Sequence, residues 1–78
     1  MSVLPRVSGR EVVRALQEVG YERDRQRGSH IVLRQTAPPH RRITVPDHRE
    51  AAKGALRSII RQTGLTVDEF KALTRRRA

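Results

Sequence analysis

Three histidines and a surplus of arginine are the side chains of this sequence that could do chemistry. His30 follows a glycine and a serine in "RQRGSHIVLRQ", His40 sits in "TAPPHRR" and His48 in "VPDHRE". Imidazole, with an unperturbed pKa of about 6.5, can give or take a proton near neutral pH. Arg25 and Arg27 closely precede His30, Arg34 follows it, and Arg42 opens the next apolar run. A guanidinium holds phosphate through two parallel N–H donors. One imidazole among such cations suits scission of an RNA phosphodiester. The ribose 2′-hydroxyl would be the nucleophile and the imidazole its base or acid. The arginines would stabilise the charge that develops on phosphorus. The same residues also suit a plainer role, with His30 a solvated strand residue or a simple phosphate donor. On the residues alone, the plainer role is the favoured one.

Composition narrows the partners. The chain has 78 residues and a formal charge of +9, from 17 Lys and Arg against 8 Asp and Glu. Only Lys53 and Lys71 are lysine, so the excess is arginine. Charge this unbalanced repels itself unless a polyanion or an acidic partner neutralises it, and the arginine bias favours nucleic acid. There is no cysteine, which excludes disulfides and thiolate zinc sites. Scattered histidines without clustered carboxylates predict no metal, and nothing suggests a cofactor or a small-molecule substrate. Apolar stretches are too short to span a bilayer, and "MSVLPRVSGRE" lacks the apolar run of a secretory signal. The expectation is one cytoplasmic domain over 1–78, with a core at 8–74 and a basic tail at 75–78. A chain of this length buries only about 60% of its unfolded surface, so its core is thin.

The elements that must position these residues follow from periodicity and punctuation. "SGREVVRALQEVG" predicts a helix after a loose lead-in of seven residues. Ser8 and Glu11 form a capping box, Gly20 is the stop, and Val12, Val13, Leu16 and Val19 make the apolar stripe. "YERDRQR" reads as an exposed strand that alternates Glu22, Asp24 and Gln26 with Tyr21, Arg23, Arg25 and Arg27. Gly28 marks a turn, and "SHIVLRQ" and "RRITV" are the stronger strands, separated by the proline loop "TAPPH". Ile31 and Leu33 share one face of their strand, as do Ile43 and Val45 of theirs, and these four should meet the helices. His30, Val32, Arg34, Arg42 and Thr44 then belong to the opposite, wet face. After Pro46, Asp47 can cap a second helix, "KGALRSIIRQTG", which buries Leu56, Ile59 and Ile60. Thr66 and Glu69 form another capping box, opening a short helix with Val67, Phe70 and Leu73 inward. Helix, three antiparallel strands, helix and short helix make an α+β domain of the double-stranded-RNA-binding type, an order shared with other small α+β domains.

"REVVRALQEVGYE", "GSH", "ITVPDHR" and "KGALRSIIRQTGLTVDEF" occur in an order and at spacings that resemble the HicA-like toxins. The likeness runs from Ser8 to Phe70. It implies a double-stranded-RNA-binding-like fold, an mRNA-cutting activity that halts translation, and a HicB-like antitoxin partner. It makes the histidine of "GSH", here His30, the catalytic residue. Many relatives carry a second histidine where this chain has Ile31, and threonine where it has Ala55. Ile31 suits the buried face, so His30 is left as the sole catalyst of that stretch; Ala55 removes a hydroxyl that could cap the helix or touch phosphate.

With that resemblance, Arg25, Arg27, Ser29, Arg34, Arg42 and Lys53 are the expected RNA contacts. Lys53 opens the second helix, where free N–H groups and the helix dipole favour an anion. In double-stranded-RNA-binding domains, lysines at this place grip phosphates. His48 is expected to close its loop, with Asp47 as cap, and His40 is assigned nothing. Tyr21 and Phe70 are the only aromatics, so recognition by base stacking is poorly supported. The rival readings are a double-stranded-RNA-binding module without chemistry and a basic protein that only occupies another protein.

Overall fold

The computed structural model describes residues 3–75. Its elements run α1 (Gly9–Gln17), β1 (Tyr21–Arg27), β2 (His30–Gln35), β3 (Arg42–Pro46), α2 (Lys53–Thr63) and α3 (Val67–Arg75). The strands form one antiparallel sheet in the order β1-β2-β3. Three helices with an open three-stranded sheet make the α+β arrangement expected, consistent with a double-stranded-RNA-binding-like fold.

Both capping boxes form. The Ser8 Oγ accepts the Glu11 N–H at 3.1 Å, and the Glu11 carboxylate accepts the Ser8 N–H at 2.9 Å. At α3, Thr66 and Glu69 exchange the same pair of bonds at 3.0 and 2.8 Å. Each satisfies two N–H donors that a helix start otherwise leaves unpaired. Gly64 ends α2 at φ +79, a left-handed value that favours glycine.

One face of the sheet carries Ile31, Leu33, Ile43 and Val45, all at most 2% exposed, against Val12, Leu16, Leu56, Ile59 and Phe70. Burial of each large apolar side chain is worth about 1.5–3 kcal/mol, so these residues hold the helices on that face. The other face is left open.

Four expectations need correcting. The lead-in is not loose throughout: Val7 is 5% exposed within the core, and its carbonyl accepts the Ala51 N–H at 2.7 Å. Val19 is not part of the buried stripe, because α1 stops at Gln17 and leaves Val19 exposed in the turn that follows. Asp47 does not cap α2, which begins six residues later with Ala52 at the N-cap and no side-chain cap bond. The alternation read through β1 also fails. Arg23 pairs with Leu33 but Arg25 with Val32, so a bulge at Asp24 reverses the faces from there on. Of the predicted basic tail, Arg76, Arg77 and Ala78 lie outside the described residues, whereas Arg75 ends α3.

Gly9 joins the helices to the sheet. Its N–H donates to the His48 carbonyl at 2.8 Å, and a Cβ placed there would collide with the Pro46 carbonyl oxygen. Since the obstacle is backbone, a side chain cannot simply rotate away. Gly9→Ala is expected to lower stability by about 1–3 kcal/mol, read as a fall in the urea midpoint at unchanged m-value.

Candidate active site and nucleic-acid interface

The β1–β2 hairpin fixes the place of His30. Arg27 and His30 are partners across the hairpin, leaving Gly28 and Ser29 as a two-residue turn. Gly28 takes φ +57, the glycine-first pattern suited to tight hairpins. His30 is therefore the first residue of the central strand, and alternation from buried Ile31 turns it to the open face, where it is exposed.

Its two flanks differ. On β1 it faces Arg27, and on β3 it faces Pro46. Directly opposed residues hold their Cβ atoms about 4.5–5.5 Å apart, so the Arg27 guanidinium can reach any group lying against the imidazole. Pro46 has no N–H and offers only a ring wall and a carbonyl.

The Asp24 bulge decides which arginines join them. Strict alternation would have grouped Arg25 and Arg27 with Tyr21, whose side chain is buried under the helices. With the register shifted, Arg25 stands opposite Val32 and Arg27 opposite His30, on the open face. One inserted residue brings two cations to the histidine's side of the sheet.

Arg34 and Arg42 share this face but in a different electrostatic state. Arg34 lies 3.8 Å from a Glu22 carboxylate oxygen, and Arg42 donates through Nε to Asp24 at 3.2 Å. Each exposed pair contributes little to stability, about 0–1 kcal/mol, yet it neutralises the charge locally. Among the described residues Arg25 and Arg27 take part in no ion pair. The open face thus has a cationic end at the hairpin and a neutralised end at Arg34 and Arg42.

The other expected contacts are spread more widely. The Ser29 carbonyl accepts the Asp47 N–H at 2.6 Å, which ties the hairpin turn to the chain leaving β3. Asp47, freed from the capping role, accepts from Arg10 Nε at 3.4 Å. Lys53 is exposed at the start of α2 but lines a separate cleft with Leu4, Arg6, Glu50 and Arg57. His48 contributes its carbonyl to Gly9. His40, at φ +57, donates through Nδ1 to the Gln35 carbonyl at 3.1 Å and so closes the proline loop.

Sequence reasoning passed over Arg10, Arg14 and Arg23, which line one cleft between α1 and β1 together with Val13, Gln17 and Ile31. The spacing of 10, 14 and 17 on one helix face was a readable signal. Alternation from Tyr21 already put Arg23 on the helix side of β1, but that this edge would lie along α1 is a matter of packing that no spacing announces.

An exposed imidazole beside unpaired guanidinium groups can exchange a proton with a hydroxyl while the cations hold the neighbouring phosphate. No helix among the described residues is long and apolar enough to cross a membrane. Comparison with curated proteins finds no match to the chain. The family model described as the HicA toxin of bacterial toxin–antitoxin matches residues 9–65, from the start of α1 through the sheet and α2. Because that match spans most of the chain and includes the whole hairpin, this protein belongs to the HicA toxin family of bacterial toxin–antitoxin systems.

Proposed function

We propose that the protein is an endoribonuclease, an mRNA interferase that cuts messages without a metal ion and is neutralised by a HicB-like antitoxin. His30 acts as general base toward the ribose 2′-hydroxyl, or as acid toward the leaving 5′-oxygen. Arg27 and Arg25 hold the phosphate and stabilise its developing charge, while Ser29, Arg34, Arg42 and Lys53 extend the contact with RNA. The observation that carries this reading is the pairing of exposed His30 with Arg27 across the hairpin, with no carboxylate among the described residues on either. A carboxylate there would occupy the cation that the phosphate needs.

A polyanion also relieves the self-repulsion of a +9 chain. The antitoxin must answer the same charge, so an acidic segment laid over His30 and Arg27 would stop cutting, and its association would slow as salt rises.

Incubating the purified protein with a defined RNA in excess chelator tests the reading. Fragments should accumulate, and stop when the antitoxin is added. Intact RNA that is nevertheless bound would leave a binding module without chemistry.

A further inference from the structure

The cleft between α1 and β1 has no part in the chemistry just described. It measures about 300 Å³ and is lined by Arg10, Arg14, Arg23, Val13, Gln17 and Ile31, none of them an acid. Arg23 donates to the neutral Gln26 amide oxygen at 2.7 Å, and Arg10 alone meets a carboxylate, Asp47, at 3.4 Å with its own side chain 78% exposed. Among the described residues neither Arg14 nor Arg23 takes part in an ion pair. With one carboxylate, held by Arg10, for three guanidinium groups, the cleft keeps an excess of positive charge that repels itself until an anion joins it.

We propose that this cleft is a second RNA-backbone subsite, in which Arg10, Arg14 and Arg23 hold phosphates away from the linkage that is cut. The inference rests on the nuclease reading for the identity of the polyanion. Continuity favours RNA over an acidic protein segment. Arg23 and Arg25 flank the Asp24 bulge and point to opposite faces of the same edge strand, so cations line β1 on both sides. Arg10 bonds to Asp47, whose N–H bonds to the Ser29 carbonyl, immediately before His30. The cleft therefore opens beside the reactive end of the sheet and runs along α1. From Arg10 to Arg14 the helix rises about 6 Å, which sets the two cations in a row along the groove. A strand whose scissile phosphate lies at His30 and Arg27 can turn round the edge of β1 and enter it. Guanidinium forks suit phosphates, and the absence of aromatic residues from the lining suits backbone rather than base contact.

The test measures binding of a labelled RNA of defined sequence by the full chain carrying His30→Ala, so that cutting does not intrude. Adding Arg14→Gln and Arg23→Gln should weaken binding by about ten-fold and flatten the slope of log K against log salt by about 1.4, as when two phosphates of a single strand go unneutralised. Arg49→Gln with Arg61→Gln, two exposed arginines outside the cleft, removes the same charge and should change affinity less than about two-fold. Equal losses from the two pairs would reduce the cleft to diffuse charge and overturn the proposal. So would unchanged RNA affinity, including the case in which the antitoxin's affinity falls instead. A wild-type protein that binds RNA through the cleft but never cuts it would sink the nuclease reading and leave the subsite standing.

Discussion

His30→Ala is expected to slow RNA cleavage by about 10²–10⁴-fold, the range that general acid–base catalysis contributes, while RNA affinity stays within about two-fold. The two readouts separate because the imidazole is exposed at the start of β2 and supports nothing structural. Its neighbour Ile31 is fully buried and does the packing. Removing the His30 ring leaves no cavity, so the variant should unfold at the wild-type temperature. Cleavage of labelled RNA under single-turnover conditions, beside a binding titration, gives both numbers. A variant that still cuts at more than about a tenth of the wild-type rate would move catalysis elsewhere. One that loses binding as well would make His30 a phosphate donor.

The second large effect concerns the arginines, and it depends on their pairing. Arg25→Gln with Arg27→Gln should reduce cleavage by at least about 100-fold, since charge stabilisation at the reacting phosphate is often the largest catalytic contribution. The matched pair Arg34→Gln with Arg42→Gln should cost about ten-fold or less. Those two guanidiniums are already engaged by Glu22 and Asp24, so a phosphate must displace a carboxylate to use them. Each pair removes two positive charges, so total charge does not explain a difference between them. Comparable losses from the two would mean that the ion pairs on the neutralised end open freely, and that the whole face holds RNA evenly.

Much of this could be read from the sequence because the signals were local. Ser8–Glu11 and Thr66–Glu69 announce helix starts whose side chains reach only three residues. Alternation in "HIVLRQ" and "RITVP" is unbroken, so the buried set of Ile31, Leu33, Ile43 and Val45 and the outward turn of His30 followed directly. What could not be read was set by long-range fit. The bulge at Asp24 is fixed by the register against β2, yet it alone moves Arg25 and Arg27 to the face of His30, while Arg23 before it keeps the face of Tyr21. Asp47 sits in a favourable place for a cap, but the chain between β3 and α2 is held by bonds to Ser29, Gly9 and Val7 instead. Those bonds delay the helix to Lys53. Val7, likewise, is an isolated apolar residue in the sequence and becomes core only when that chain folds over it. Arg10 and Arg14 share a helix face that spacing shows, but the edge of β1 that supplies the other wall of their cleft is set by packing.

The most direct test of the account is made on an RNA with a single preferred cut, prepared with and without a 2′-deoxy nucleotide on the 5′ side of that linkage, in chelator. If His30 activates the ribose hydroxyl, the ordinary RNA yields a 2′,3′-cyclic phosphate and a 5′-hydroxyl end, and the deoxy-substituted linkage stays whole. Scission of the deoxy-substituted linkage, or products ending in a 3′-hydroxyl and a 5′-phosphate, would contradict it.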